Sequence, residues 1–315
     1  VPHRIVHMLR ARGTGRRPVM LAIAGDSAAG KTTLTRGLVE CLGEDRMTAV
    51  CVDDYHRYDR EERRNKPFTA LHPDCNHIEV MEQHLQLLAM GEPILKPVYD
   101  HGSGRLVRPE LVEPRDFVIV EGLLPLYSKM ARACFDITVY LDPPEEQRYA
   151  WKIQRDTTRR GYTAEQVREE LRRRELESAA FIRPQRRHAD IVVRFGPLAG
   201  REEPPGGPLS AELLLRPTID HPELDEVVRG ADALHLRLLR DTDGRPVDSL
   251  HVHGDVSPEE AEIVKKAVWE RLDVDTPLPG GLGGLADGNR SDPVAITQLL
   301  LLYHLINADR VRPAS

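Results

Sequence analysis

The sequence predicts an α/β protein: a three-layer α/β/α arrangement around a mostly parallel sheet, followed by a smaller α+β region. Three observations lead there. Short apolar runs at 19–24, 48–52, 117–120, 137–141 and 191–195 alternate with helical periodicity at 31–42, 78–90, 145–159 and 164–180. That alternation is how a parallel sheet covered on both faces is encoded. A glycine-bearing turn, Gly25 to Gly30, joins the first run to the first helix, and a Pro/Gly cluster, GPLAGREEPPGGP at 196–208, closes the alternating part.

Each element has a local reason. The run VMLAIA is apolar at every position, as a strand buried on both faces must be. The helix from 164 is announced by Thr163 with Gln166 three residues on, a capping box. The Pro/Gly cluster reads as a linker between a domain at 1–195 and a region at 209–315. In that region 233–239 and 250–253 alternate like half-buried strands. The helix after Ser257 has a good N-cap with Pro258 at its first position, and a closing helix is expected at 293–306. This C-terminal region is a candidate to extend the sheet or to build a dimer interface.

Composition limits the function. The formal net charge of -6 argues against broad nucleic-acid binding, so local basic clusters are read as sites. No run is long and apolar enough for a membrane span, and 1–10 lacks a secretory pattern, so a cytoplasmic protein without membrane contact is expected. Cys41, Cys51, Cys75 and Cys134 lie far apart without metal-like spacing and are expected to be plain thiols.

The first turn carries chemistry. Gly25-x-x-x-x-Gly30-Lys31-Thr32 matches the phosphate-binding loop, with a strand before and a helix after. Glycines let successive N–H groups face phosphate oxygens at a helix N-terminus, Lys31 reaches the terminal phosphates, and the Thr32 hydroxyl suits Mg²⁺. Gly25, Asp26, Ser27, Ala28, Ala29, Gly30, Lys31, Thr32 and Thr33 are therefore the expected nucleotide site, with ATP and Mg²⁺ as cofactors. The loop alone does not choose among hydrolase, switch and kinase.

Further stretches favour a kinase. CVDDYHRYDR at 51–60 ends the second strand, where ligands sit in open parallel sheets. Asp53 or Asp54 can accept a proton there, and His56 and Arg60 can contact an acceptor; the plain alternative is a solvated charged loop. Glu121 ends an apolar strand as the carboxylate expected at the magnesium shell. Lys152, Arg155 and Asp156 share a helical face, with Arg160 one turn on, and 172–174 and 183–187 add positive charge. Such a run is either a solvated face or a lid over a transferring phosphoryl group. Cations beyond the needs of a nucleotide suggest an acceptor with its own phosphate.

Taken together, the phosphate loop, DDYHRYDR at 53–60, HPDCNH at 72–77, KPVYDH at 96–101, VEG at 120–122 and RDTTRRG at 155–161 resemble the phosphoribulokinase and uridine kinase family. The resemblance spans 19–195 and lies on the phosphoribulokinase side of the family. It implies a P-loop NTPase fold and ATP-dependent phosphorylation of the C1 hydroxyl of ribulose 5-phosphate. It also implies Asp53 as general base, Lys31, Lys152 and Asp156 in the transfer, and Glu121 with Thr32 at the metal. His56, Arg60, Tyr99, His101, Arg155, Arg160, Arg173 and Arg174 are implied at the substrate, and a homodimer is implied too. Plant-type members carry a regulatory cysteine where this chain has Ala29, so the disulfide switch through Cys51 is not expected. The rival readings are a kinase for an unphosphorylated acceptor, such as uridine or a small polyol, and a nucleotide-binding module without chemistry.

Overall fold

The computed structural model describes residues 17–198, 207–229, 231–272, 277–285 and 288–311. Ten strands are present among these residues. They are β1 (Val19–Gly25), β2 (Met47–Cys51), β3 (Ile94–Asp100), β4 (Arg105–Val112), β5 (Phe117–Gly122), β6 (Ile137–Leu141), β7 (Ile191–Phe195), β8 (Ala211–Leu215), β9 (Leu234–Arg240) and β10 (Pro246–Val252). Eight form one sheet in the order β2-β5-β1-β6-β7-β8-β10-β9, and β3 and β4 make a separate hairpin. Strands β2, β5, β1, β6 and β7 pair in parallel, and β8, β10 and β9 continue the sheet antiparallel.

Every residue of β1 is buried, which is why its sequence shows no alternation. The helices are α1 (Lys31–Leu42), α2 (Arg60–Arg63), α3 (Ile78–Met90), α4 (Lys129–Arg132), α5 (Glu145–Arg159), α6 (Ala164–Glu177), α7 (Asp225–Val228), α8 (Pro258–Glu270) and α9 (Asp292–Val311). The sequence-based ranges for α1, α3 and α5 coincide with these. The helix expected to run to 180 instead ends at Glu177 and loosens into a π turn over Ser178–Ile182. Ser257 caps α8 in a full capping box with Glu260, and Thr163 does the same for α6 with Gln166.

The C-terminal strands do not make a sheet of their own. Phe195 of β7 faces Ala211 of β8 across an antiparallel ladder, and the linker expected at 196–208 lies mostly outside the described residues. One apolar core runs from Leu21 and Leu34 through Leu213 and Leu250 to α8 and α9. Helix α9 is fastened to α1 by Gln298, which is fully buried, donates to the Thr33 carbonyl at 3.0 Å and accepts from the Gly283 amide at 2.7 Å. None of the described helices is long and apolar enough to cross a membrane.

Candidate active site

The site lies at the carboxyl ends of β1, β2 and β5, where Gly25, Cys51 and Gly122 end their strands. Gly25 is required there, because a Cβ on it would stand 2.9 Å from the Leu141 carbonyl oxygen at the end of β6. The loop then turns through Ala28 at φ 65° and Gly30 at φ 102°. Gly30 provides no side-chain cap for α1, so the helix N-terminus is left open to an anion. Lys31 folds over this loop, donating to the carbonyls of Gly25 and Asp26 at 2.9 Å each.

Beside Lys31 stands Glu121. It accepts from Thr32 Oγ1 at 3.2 Å and Thr35 Oγ1 at 3.3 Å. Burial raises its pKa, against the pull of the Lys31 charge, and the negative charge of Asp53 adds to the rise. Thr32 and Glu121, read separately from the sequence, are therefore brought into one corner.

The structure separates the two aspartates, which the loop's residues left open and of which the resemblance implied Asp53 as the base. Asp54 is committed: it accepts from the Lys96 ammonium and from the Tyr99 amide at 3.1 Å, tying the end of β2 to the hairpin. Burial alone would lower the Lys96 pKa, but Asp54 and Glu110, the latter at 3.0 Å, hold it above the ordinary value. Asp53 is held by one oxygen only. Its Oδ1 accepts from the Leu123 amide at 2.8 Å, while Oδ2 has no partner among the described residues. Gly122 makes room for it, since a Cβ there would sit 2.9 Å from Asp53 Oδ1.

His56, Tyr99 and His101 form a wall of rings, with centroids 4.8 Å and 5.1 Å apart in edge-on contacts. Of the two kinds of contact open to His56, a charged one and a hydrogen-bonding one, its surroundings favour the second. His56 is 3% exposed, and burial, followed by the nearby Arg63 charge, pushes its pKa down to about 4. Asn76 donates its amide hydrogens to the carbonyls of Ala70 and His72, so its Oδ1 accepts from His56 Nδ1 at 2.7 Å. His56 Nε2 is thus an acceptor. His101 is likewise lowered by burial, although Asp53 pulls it the other way. Arg60 donates to the carbonyls of His101 and Gly102 and so shapes the hairpin turn.

Helix α5 turns its charged stripe inward. Arg148, Lys152 and Asp156, spaced four apart, are its buried residues, the reverse of an ordinary amphipathic helix. Asp156 collects Lys152 at 2.8 Å, Arg155 at 2.8 Å and Arg160 at 3.5 Å. Burial works against its charge, but hydrogen bonds from Arg155 and Lys152 keep its pKa below the usual value. Lys152 is 1% exposed, and burial with the Arg174 charge lowers its pKa. Arg155 also reaches the phosphate loop, donating to Ser27 Oγ at 3.3 Å, and Arg148 meets Asp26 at 3.4 Å. Arg174 joins the group through Glu170, which is 3.6 Å from Lys152. Arg173 does not: it is exposed and has no polar partner among the described residues.

Several contributors were not singled out from sequence. Arg63 donates to the Tyr99 hydroxyl at 2.8 Å and lies 5.0 Å from its ring centroid. Asp59 and Glu62 form a capping box around that short helix, a signal present in the sequence. Gln185 donates to the Leu123 carbonyl at 2.7 Å and accepts from the Leu126 amide at 2.9 Å, bracing the strand end that holds Asp53.

Comparison with known proteins decides the family. The profile described as Phosphoribulokinase / Uridine kinase family matches residues 20–199, more than half of the chain. The chain belongs to the phosphoribulokinase and uridine kinase family. Within this family of kinases it is 42% identical over 181 residues to phosphoribulokinase of Synechocystis sp., covering 58% of this chain and 54% of that protein. Identity to the chloroplastic phosphoribulokinase of Spinacia oleracea is 35% over 196 residues, covering 57% of this chain and 49% of that one. A uridine kinase of Chloroflexus aurantiacus is 31% identical over 188 residues, which cover 57% of this chain and 88% of that protein. The chain spans about half the length of the phosphoribulokinases it matches. The solved phosphoribulokinase of Rhodobacter spheroides, at 18% identity and TM-score 0.58 over 81% of this chain and 96% of that one, shares the family fold.

Proposed function

We propose that the protein transfers the γ-phosphoryl group of ATP to the C1 hydroxyl of ribulose 5-phosphate, giving ribulose 1,5-bisphosphate and ADP. One observation carries the reading: Asp53, near Glu121, is anchored through Oδ1 with no partner on Oδ2 among the described residues, and the helix end at Gly30 has no side-chain cap. A carboxylate held this way can take the hydroxyl proton as the oxygen attacks phosphorus, and ADP leaves on the opposite side. Lys31, Arg155 and Arg160 carry positive charge against the moving phosphoryl group. Tyr99, His101 and Arg60 border the acceptor, with His56 Nε2 as a hydrogen-bond acceptor for a sugar hydroxyl.

The donor set suits Mg²⁺. Thr32 and Glu121 offer hard oxygen ligands 3.2 Å apart, and among the described residues no group of three or more metal-ligating His, Cys, Asp or Glu side chains occurs. Magnesium sites that rely on one or two protein oxygens and on substrate phosphates have this sparse form. When bound, the ion neutralises charge on the phosphates. A homodimer and a cytoplasmic setting belong to the same proposal.

The relatives support the acceptor assignment, since the phosphoribulokinases of Synechocystis sp. and Spinacia oleracea match at 42% and 35% identity against 31% for the uridine kinase. Acceptor-dependent ADP release with ribulose 5-phosphate, compared with uridine and with unphosphorylated pentuloses, tests it. Activity with ribulose 5-phosphate alone is expected, and activity confined to the unphosphorylated acceptors overturns it.

A further inference from the structure

Arg132, Arg187, His188 and Arg245 gather at the amino ends of the central strands, away from the phosphate loop. Helix α4 supplies Arg132, the 3-10 turn Arg183–His188 supplies Arg187 and His188, and the turn between β9 and β10 supplies Arg245. The His188 carbonyl accepts from Thr138 Oγ1 at 3.1 Å near the start of β6, whereas Leu141 at the end of that strand pairs with Gly25.

Each guanidinium is fixed along one edge. Arg132 Nη1 donates to the carbonyls of Leu126 and Tyr127 at 3.0 Å each. Arg245 Nη1 donates to the Arg187 carbonyl at 2.9 Å, and Arg187 Nε donates to His188 Nε2 at 3.1 Å. None of the three meets a carboxylate among the described residues. Their neighbours differ: Arg186 is paired with Asp142 at 2.9 Å, and Arg216 with Asp241 at 2.6 Å and Asp243 at 2.9 Å. The carboxylates just before Arg245 in sequence, Asp241 and Asp243, are taken up by Arg216, so among the described residues none pairs with these three guanidiniums, an exception in a chain of net charge -6. Their remaining N–H edges suit a tetrahedral oxyanion, which planar guanidinium forks bind through paired hydrogen bonds.

We propose that Arg132, Arg187 and Arg245 form a second anion site, separate from the nucleotide loop, for a small phosphate-bearing metabolite. His188 reports on it. Because its Nε2 accepts from Arg187, its proton sits on Nδ1. Burial and then the surrounding cations, Arg132 first, hold its pKa down to about 4. A bound dianion offsets those cations and raises that pKa, so binding is linked to proton uptake.

The test uses inorganic phosphate at constant ionic strength, followed by calorimetry and by the NMR titration of the His188 ring. Expected is saturable binding that persists in Lys31→Met, that weakens about tenfold or more in Arg187→Gln and in Arg245→Gln, and that moves the His188 titration upward. Both arginines are exposed, so neither substitution disturbs the core. Binding lost in Lys31→Met but unchanged in the two arginine variants assigns the phosphate to the nucleotide loop and overturns the proposal. A response that never saturates overturns it as well.

Discussion

Asp53 accepts the amide hydrogen of Leu123 at 2.8 Å, and this one bond aims the carboxylate, whose second oxygen has no partner among the described residues. Asp53→Asn keeps an oxygen for Leu123 but no longer accepts a proton. A fall in kcat of about a hundredfold to ten-thousandfold is expected, with an unchanged melting temperature. Steady-state kinetics and thermal melts on the same preparation check it.

Gly122 tests the same bond from the backbone side. A Cβ there would lie 2.4 Å from Val52 Cγ2 and 2.9 Å from Asp53 Oδ1, so Gly122→Ala displaces the carboxylate. Lower kcat is expected together with a loss of about 1–3 kcal/mol in urea unfolding. Retention of both wild-type values contradicts the packing described for this corner.

Lys31 sits over the phosphate loop on two backbone carbonyls, each 2.9 Å away. Lys31→Met removes the charge that the proposed function sets against the transferring group but none of the apolar packing. Turnover is expected to vanish while circular dichroism and the melting curve stay close to wild type; wild-type activity in this variant overturns the role of the loop.

Lys96 is 3% exposed and joins Asp54 to Glu110, clasping the hairpin against the turn that carries Asp53. Removing one partner of a buried pair leaves an uncompensated charge, so Lys96→Met is expected to cost about 3 kcal/mol. Because the same clasp positions the turn, kcat falls as well, and Lys96→Arg restores part of both. The double variant with Asp54→Asn is less destabilised than the sum of its parts, measured by a double-mutant cycle.

The contrast between Asp53 and Asp54 shows where sequence reading stops. The two are neighbours of identical chemistry, and only hydrogen bonds from Leu123, Lys96 and Tyr99, all more than forty positions away, assign them different tasks. The phosphate loop and α1 were legible because their determinants are local: an apolar run, two glycines and a helix start. Hairpin β3–β4 was missed for a physical reason. Seven of the eight positions of β4 are exposed, so no buried face imprints an alternation, and β3 carries an irregularity between Lys96 and Val98. Strand β8 was missed because its five residues take their meaning from pairing with β7. The burial of His56 was not legible either, because nothing in a loop sequence marks which side chain the fold covers.

Buried histidines set an acid limit. The His56 pKa is about 4 in the folded chain against 6.5 ordinarily, so the folded state prefers the neutral ring. Its contribution is fully present above about pH 6.5 and is lost as pH falls through about 4, an effect of roughly 3 kcal/mol. His304, lowered to about 3 by burial, acts in the same direction. Urea midpoints are expected to drop steeply between about pH 6.5 and 4, less so in His56→Gln.

Activation of a ribulose 5-phosphate hydroxyl by Asp53 is the step on which the proposed function rests. Phosphorus NMR of the product formed from ATP and ribulose 5-phosphate, by the wild type and by Asp53→Asn, measures it most directly. A new phosphate ester at C1 with stoichiometric ADP is expected in the wild type and almost none in the variant. ADP released without a new ester, or equal product from both proteins, contradicts it.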